Sequence, residues 1–340
     1  MKALLYLEPG KVEIADLPRP EIGAGEVLLR TRACGVCATD VKTFMRGHPL
    51  ISRGSVLGHE TTGEIAASLA PGWREGDRVA VAPYIACGEC RFCTRGQFSL
   101  CERLWDSSVR PGGFAEFVRV PEAIVRRGMR RLTAADDLIE LTLAEPLACC
   151  YHGFGVLGLR AGDTVLIIGD GPMGLLQAAL ARHLGAASVT LAGMTPERLA
   201  WARTRADQVV DVSTTDLGEA AKAAGHTEGF DRVMVSIAQP DAVGLAISLA
   251  RRGGSVNVFA GLPRDTRLSV DAFRIHYEEV ALVGTFGFGT PDFAAAAEAL
   301  ATRAMDLDGY VTRTVSLDGL EAAFADSAAY RGIKTVAVFA

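Results

Sequence analysis

The second half of the chain alternates short apolar runs with stretches of helical pattern. After Asp163, nearly every residue of 164–168 is apolar, as in a strand buried on both faces of a sheet. Similar runs recur at 188–192, 208–212, 232–238, 255–260 and 280–285. Because strands that alternate with helices form parallel sheets, the pattern predicts an α/β fold with one doubly wound parallel sheet of six strands.

The first of these runs ends in a glycine-rich turn that precedes a helical stretch over 175–184. The turn has the pattern G-x-G-x-x-G and contains Gly169, Gly171, Pro172, Met173 and Gly174. Such glycines allow a tight turn, a close approach of the backbone to a pyrophosphate, and close packing of helix on strand. The segment is predicted to bind a dinucleotide, and a purely structural tight turn is the alternative.

The choice between NAD and NADP depends on the end of the second predicted strand. An Asp or Glu about 20 residues after the glycine turn usually accepts hydrogen bonds from the ribose of NAD. Gly193 stands there, and 188–196 contains no acidic residue. A ribose 2′-phosphate would therefore meet no repulsion, and Thr195 and Arg198 are candidate contacts for it. The sequence slightly favours NADP over NAD.

Four cysteines follow one another closely, at Cys87, Cys90, Cys93 and Cys101. A disulfide framework suits small exported domains, and iron–sulfur clusters use other cysteine spacings. A tetrahedral zinc ion held by four thiolates fits the spacing best. Because four thiolates leave no vacant position on the metal, the lobe over 86–102 is predicted to hold a structural zinc.

A second candidate metal site is scattered along the chain. Cys37, His59 and one carboxylate, Glu60 or Glu145, would leave a fourth position on a zinc ion for water or substrate, as in a catalytic site. Asp40 is a candidate acceptor for the second imidazole proton of His59. Each residue also has an ordinary interpretation as a buried thiol, a satisfied histidine or a solvated acid, and the spacing alone does not bring them together.

The composition limits the class of protein. At 340 residues, 49% hydrophobic and 22% charged, the chain is predicted to be globular with two domains. A net charge of −5 without a long basic run argues against nucleic-acid binding. No apolar stretch reaches the roughly 18 residues of a membrane helix, and the apolar run within 1–8 is too short for a signal peptide. We expect a cytoplasmic protein without membrane partners.

Taken together, the motifs resemble the zinc-dependent medium-chain dehydrogenase/reductase family, in its sorbitol and threonine dehydrogenase branch. The matching segments, in the family's order, are 35–40, 58–63, 76–79, the four-cysteine lobe, 112–117, Glu145 with Pro146, and 169–174. The resemblance implies a GroES-like (chaperonin-10-like) β-barrel catalytic domain over 1–150 and 285–340. It implies a Rossmann domain over 151–284, inserted into the first, and a homodimer or homotetramer joined through the last strand of its sheet.

The resemblance also implies roles for individual residues. The catalytic zinc ligands it implies are Cys37 and His59. Glu145 takes the position of a third, acidic ligand or of a carboxylate that holds the zinc-bound water. Glu60 takes that of an alternate ligand, which approaches the metal when water is exchanged for substrate. Thr39 takes the position of the hydroxyl that contacts the substrate oxygen and passes its proton on. Lys42 stands where many relatives have the histidine that ends a proton relay, so either Lys42 or water is expected to carry the proton away.

The implied reaction is reversible hydride transfer between a secondary alcohol and NAD or NADP. The resemblance also implies candidate residues for the substrate pocket, namely Thr43, Phe44, Arg46, His48, Trp105, Val109, Arg110, Phe286 and Phe288. Their arginine, histidine and aromatic side chains favour a polar substrate such as a polyol, sugar, aminocyclitol or amino alcohol. Two alternatives remain open from the sequence. One is a zinc-bearing nucleotide-binding scaffold without turnover, and the other is a zinc-free type of enone or quinone reductase.

Overall fold

A computed structural model describes residues 1–49 and 51–340 of the chain. These residues divide into two compact units. The first contains Met1–Ala148, Phe288–Ala304 and Tyr310–Ala340, and the second contains Cys149–Gly287 and Met305–Gly309. The second unit is therefore inserted into the sequence of the first.

Both units contain strands and helices. The strands are β1 (Lys2–Glu8), β2 (Lys11–Asp16), β3 (Val27–Gly35), β4 (Glu60–Ser68), β5 (Arg78–Val81), β6 (Phe117–Val120), β7 (Met129–Leu132), β8 (Thr164–Ile168), β9 (Ser188–Gly193), β10 (Gln208–Asp211), β11 (Phe230–Val235), β12 (Ala250–Val258), β13 (Ala281–Gly284), β14 (Val311–Val315) and β15 (Lys334–Val338). The α-helices are α1 (Ala38–Arg46), α2 (Glu122–Arg127), α3 (Ala144–Leu157), α4 (Pro172–His183), α5 (Pro196–Ala202), α6 (Leu217–Ala223), α7 (Pro240–Leu249), α8 (Ala272–Tyr277), α9 (Thr290–Ala301) and α10 (Leu320–Ala328). Within 1–49 and 51–340, no helix combines the length and the apolar character that crossing a membrane requires.

A parallel sheet forms the centre of the second unit. In the part of the chain that the structure describes, its six strands lie in the order β10-β9-β8-β11-β12-β13, and every neighbouring pair runs parallel. Strand β8 is central, and the strand order reverses between β8 and β11. A reversal of this kind opens a crevice at the carboxyl ends of the strands, where dinucleotides bind. The predicted doubly wound sheet is confirmed.

The apolar runs form this sheet because their side chains are covered. Leu166, Val233 and Val256, from three adjacent strands, belong to one core cluster and have no exposed surface. Helix α7 adds Val243 and Ile247 to the same cluster. Strands of this kind have no polar face to offer to water, which is why their sequences show runs of apolar residues rather than alternation.

A mostly antiparallel sheet, in which β14 and β15 pair in parallel, organises the first unit. Among the described residues, its strands follow the order β14-β15-β3-β4-β5-β7, and β6 also pairs with β3. Strands β3 and β4 pair along nearly their full length, from Val27 opposite Ser68 to Gly35 opposite Glu60. This pairing places the end of β3 beside the beginning of β4, which is where the candidate metal ligands lie.

The division into units differs from the predicted domain boundaries near the carboxyl terminus. The sequence interpretation assigns all of 285–340 to the catalytic domain, whereas the structure places 285–287 and Met305–Gly309 in the second unit. The guanidinium of Arg205 donates to the main-chain oxygen of Asp306 at 3.0 Å. The indole nitrogen of Trp201 donates to the oxygen of Asp308 at 2.9 Å. These hydrogen bonds from side chains to main-chain oxygens attach 305–309 to the second unit. The pattern of hydrophobic residues in the sequence gives no sign of them.

The turn between β8 and α4 requires glycine at two positions for different reasons. Gly169 has a φ of +123°, which L side chains rarely adopt. At Gly174 an added Cβ would lie 1.8 Å from the carbonyl oxygen of Gly169. At Gly171, by contrast, an added Cβ would meet nothing within 4 Å. Close packing of α4 on the end of β8 therefore depends on Gly174, and the chain's own packing does not explain Gly171.

We expect Gly174→Ala to lower the free energy of unfolding by about 3 kcal/mol, because the methyl group must displace a carbonyl oxygen that is already in contact. Gly171→Ala is the matched control and should unfold at the wild-type midpoint. Urea denaturation followed by circular dichroism compares the two. Equal midpoints for both variants would contradict the packing described for this turn.

Candidate functional site

The pairing of β3 with β4 brings two distant segments of the sequence together. Cys37 follows the end of β3, and His59 immediately precedes the first residue of β4, Glu60. Gly35 and Glu60 are paired across the two strands. One ligand atom from each of Cys37, His59 and Glu60 lies within 4.8 Å of the other two. The structure thus gathers a thiolate, an imidazole and a carboxylate at one place.

Cys37 is held at the amino-terminal cap of α1. The backbone N–H of Thr39 donates to its sulfur at 3.5 Å, and its own N–H donates to the carboxylate of Asp40 at 3.0 Å. These two bonds form a capping box, with Cys37 in the place usually taken by serine or threonine. The cap fixes the backbone that carries the thiol.

Asp40 connects the two ligand-bearing segments. While its Oδ2 accepts from the N–H of Cys37, its Oδ1 accepts from the N–H of Gly58 at 3.1 Å. The predicted hydrogen bond between Asp40 and the imidazole is absent, because Oδ1 lies 3.7 Å from Nδ1 of His59, beyond hydrogen-bond distance. Asp40 is buried, and it positions the backbone beside each ligand.

The segment 112–117 holds the backbone that precedes His59. In the sequence this segment is a family match without an assigned role. The N–H of Gly113 donates to the oxygen of Gly58 at 2.7 Å, and the N–H of Phe114 donates to the oxygen of Leu57 at 2.9 Å. An added Cβ at Gly113 would lie 2.4 Å from the hydroxyl oxygen of Thr61. A glycine is needed here because the Thr61 hydroxyl and the Cys34 sulfur occupy the space that a side chain would take.

A buried lysine pairs with the carboxylate of this cluster. Lys334 Nζ donates to Oε1 of Glu60 at 2.7 Å and to the oxygen of Val36 at 2.9 Å. Burial lowers the pKa of Lys334, but the opposing charges of Glu60 and Cys37 outweigh burial and raise it. Lys334 is therefore charged. Lys334 is not among the residues predicted from the sequence, although a single lysine at the start of an apolar strand, here β15, is a signal of a buried ion pair.

The electrostatic surroundings of His59 suit a cation. Burial lowers the pKa of His59, yet the negative charges of Cys37, Asp40 and Glu145 raise it well above its ordinary value. The charges that would hold a proton on the imidazole equally favour a divalent ion bound to its neutral form. Sulfur, nitrogen and carboxylate oxygen are all zinc ligands, so the donor set fits zinc.

The remaining predicted residues lie at different distances from this cluster. Glu145 is buried in the first turn of α3 and stands outside the set of mutually close ligand atoms, to which Glu60 belongs. Thr39 is partly exposed in the first turn of α1, and Lys42 is exposed on the same helix. The geometry therefore favours Glu60 over Glu145 as the carboxylate beside Cys37 and His59.

The four lobe cysteines form a second cluster. The sulfur of Cys93 lies 3.9 Å from that of Cys87 and 3.5 Å from that of Cys90, and the sulfurs of Cys90 and Cys101 are 4.0 Å apart. A tetrahedron with zinc–sulfur bonds of ~2.3 Å has edges of roughly 3.8 Å. All four cysteines are free of disulfides. The sulfur positions therefore fit one tetrahedral zinc ion.

Backbone donors surround these sulfurs. The N–H of Glu89 donates to the sulfur of Cys87 and is the main reason that the pKa of this thiol falls to about 6. Burial acts in the opposite sense at Cys93 and raises the pKa of that thiol to about 12. A cation bound among the four sulfurs would favour the thiolate form of each.

The predicted nucleotide residues cluster at the carboxyl ends of β8 and β9. Gly171 caps α4 and Pro172 opens the helix, followed by Met173. At the end of β9, the N–H groups of Met194 and Thr195 donate to Oδ2 of Asp170 at 3.0 and 2.6 Å. Gly193 lies against Asp170, and Arg198, in the first turn of α5, is 4% exposed.

We expect Lys334→Met to lower the free energy of unfolding by about 3–5 kcal/mol, because it leaves the buried carboxylate of Glu60 without its countercharge. Lys2→Met is the matched control, since Lys2 pairs with Asp16 on the surface and its loss should leave the unfolding midpoint unchanged. Denaturant unfolding measures both. A Lys334→Met variant as stable as the wild type would show that the pair is not buried as described.

Two family models match the chain. Residues 23–127 match the model described as the alcohol dehydrogenase GroES-like domain, and residues 172–302 match the model described as zinc-binding dehydrogenase. The first range contains Cys37, His59, Glu60 and the four-cysteine lobe. The second begins within the glycine turn and covers the rest of the parallel sheet.

Full-length relatives agree with these models. An L-threonine 3-dehydrogenase of Streptomyces avermitilis is 33% identical, with 99% of this chain and 98% of the relative covered. A sorbitol dehydrogenase of Bacillus subtilis is 29% identical over 94% of this chain and 91% of its own. A solved zinc-binding dehydrogenase from Sinorhizobium meliloti 1021, bound to NADP, is 30% identical over 99% of both chains with a TM-score of 0.91. The chain belongs to the zinc-dependent medium-chain alcohol and polyol dehydrogenases, with a GroES-like domain and a Rossmann domain.

Proposed function

We propose that this zinc- and NAD(P)-dependent alcohol dehydrogenase acts on the secondary hydroxyl of a polar substrate, such as a polyol, sugar, aminocyclitol or amino alcohol. The family membership supplies the reaction class. The relatives named for sorbitol and L-threonine support the polar substrate class. The observation that carries the proposal is the cluster of Cys37, His59 and Glu60, whose mixed ligand atoms lie within 4.8 Å of one another.

The chain is proposed to bind two zinc ions with different roles. The four thiolates of the lobe fill a tetrahedral coordination sphere, so this ion would stabilise the fold and take no part in the reaction. Cys37 and His59, with Glu60 or Glu145 as the third protein ligand, would leave one position for substrate. The proximity of Glu60 to both other ligands supports Glu60, and the charge of Glu145 near His59 supports an auxiliary role for that acid.

The protein's own groups are proposed to position the substrate hydroxyl and to move its proton. When bound, zinc supplies Lewis-acid polarisation of the hydroxyl, and the nicotinamide supplies a hydride acceptor. Thr39 lies two residues from Cys37 in the first turn of α1, and its hydroxyl would accept the substrate proton while passing its own proton on towards Lys42 or water. Lys42 is exposed on the same helix, where it or water would release that proton to solvent.

The glycine turn is proposed to bind the pyrophosphate of the dinucleotide. An added Cβ at Gly171 would meet no protein atom within 4 Å, so the absence of a side chain there leaves room for a ligand. Pro172 and Met173 open the following helix, whose first N–H groups would bind phosphate oxygens. On the sequence alone, the absence of an acid at the end of β9 favours NADP slightly, and the NADP-bound structural relative is in line with that preference.

A homodimer or homotetramer is proposed to form through the last strand of the parallel sheet. In the described part of the chain, β13 is the edge strand and pairs with β12 on one side. Nearby helix α8 contains no buried residue, and its Phe273 and Tyr277 are exposed. An open edge beside exposed aromatic residues is a surface that a second copy of the chain would cover.

We expect Cys93→Ser to remove one of two zinc ions per chain and to lower the melting temperature, because serine is a poor replacement for a thiolate ligand and the lobe loses its central cross-link. Metal analysis and thermal unfolding of the same sample test this. Cys150→Ser is the control, since Cys150 is also buried but lies outside both clusters; it should keep both ions. An unchanged metal count in Cys93→Ser would refute the lobe assignment.

We expect Cys37→Ser to reduce alcohol-dependent cofactor reduction by roughly a thousandfold, because the Lewis acid contributes several kcal/mol to the reaction. Dinucleotide affinity should stay within about twofold of wild type, since Cys37 lies outside the nucleotide-binding unit. A panel of polyols, sugars and amino alcohols, assayed with both nicotinamide cofactors, measures turnover. Fluorescence titration measures affinity, and Cys149→Ser serves as a thiol control.

Two results would contradict the proposed function. Wild-type turnover that survives complete removal of zinc would favour a zinc-free type of reductase. Tight dinucleotide binding without turnover of any alcohol or ketone in the panel would favour a scaffold.

A further inference from the structure

The acid that is missing from the end of β9 in the sequence is present there in the structure. It comes from the glycine turn itself. Asp170, the second residue of that turn, extends its side chain to the carboxyl end of the neighbouring strand, where the N–H groups of Met194 and Thr195 donate to its Oδ2 at 3.0 and 2.6 Å.

Gly193 makes this arrangement possible. An added Cβ at Gly193 would lie 2.3 Å from the Cβ of Asp170 and 2.7 Å from its Oδ2. The Asp170 side chain therefore occupies the space that a side chain at 193 would need. Because position 193 ends the second strand of the sheet, the carboxylate lies where a dinucleotide-binding fold usually places its ribose-binding acid.

We propose that Asp170 is the ribose-recognising acid of this chain and that it makes NAD the preferred dinucleotide over NADP. The inference rests on the proposed use of a nicotinamide dinucleotide and reverses the slight preference for NADP that the sequence alone suggests. Both backbone bonds fall on Oδ2, which leaves Oδ1 to accept a hydrogen bond from a ribose hydroxyl.

The same carboxylate works against a 2′-phosphate in two ways. It places a negative charge where the phosphate would lie, and like charges at contact distance repel strongly when partly shielded from water. It also engages the N–H groups of Met194 and Thr195, which would otherwise be donors for a phosphate oxygen.

Binding to the zinc-loaded full chain without alcohol tests the proposal. Isothermal titration with NAD⁺, NADP⁺, 5′-AMP and 2′,5′-ADP gives dissociation constants that do not depend on turnover. The wild type should bind NAD⁺ at least tenfold more tightly than NADP⁺, and the two fragments should show the same order. Asp170→Asn should lower this ratio at least fivefold, chiefly by tightening the binding of NADP⁺ and 2′,5′-ADP.

Asp207→Asn is the matched control. Asp207 also accepts a backbone N–H of this sheet, from Val189 at 2.8 Å, but near the amino-terminal end of β9 rather than beside Gly193. The control should keep the wild-type ratio. Asp170→Ser provides a second variant, and thermal unfolding of each protein checks that it is folded.

A wild type that binds NADP⁺ as tightly as NAD⁺, or more tightly, overturns the inference whatever the variants do. So does a folded Asp170→Asn variant with an unchanged ratio. In either case, alcohol-dependent turnover with one of the two cofactors would leave the proposed function standing. Failure of the wild type to bind any of the four ligands would count against the proposed function and the inference together.

Discussion

The register between β3 and β4 is the constraint on which the candidate active site depends. Gly35 opposite Glu60 places Cys37, just beyond one strand, beside His59, just before the other. An added Cβ at Gly35 would lie 1.9 Å from a carboxylate oxygen of Glu60, so the glycine at position 35 leaves room for the buried Glu60 side chain. A shift of one residue in this pairing would turn the side chains to the opposite face and separate the ligands.

Around this pairing, buried charges hold the ligands in place. Asp40 accepts backbone N–H groups from both ligand segments, and Lys334 neutralises Glu60 from the strand on the other side of β3. Such groups are costly to bury unless each has its partners. Hydrogen bonds and opposite charges from different parts of one sheet offset the free energy of burying these groups. The metal ligands are therefore positioned by the fold of the whole unit rather than by α1 alone.

The sequence predicted those features that depend on residues close together in the chain, such as single strands and the four-cysteine lobe. The apolar runs predicted the parallel strands, although β12 begins at Ala250, before its predicted start at 255. Ala250 pairs with Phe230, but the polar residues Arg251 and Arg252 follow it, so the apolar pattern does not mark this part of the strand. The cysteine spacing predicted one metal cluster because all its ligands lie within a short loop. What the sequence could not show were partners far apart in the chain. Lys334 and Glu60 are 274 residues apart in the chain. The side chain of Asp170 lies at the end of β9, where the residue of the strand itself is Gly193 and has no side chain.

We propose that one chain holds two zinc ions, one fully enclosed by sulfur and one with a vacant position beside the β3–β4 pairing. Anomalous diffraction from crystals of fully active protein, recorded on both sides of the zinc absorption edge, locates each ion. Two peaks per chain are expected, one among the lobe sulfurs and one about 2.0–2.3 Å from Cys37 Sγ and a ring nitrogen of His59. A single peak, confined to the four-cysteine lobe, would rule out the second site.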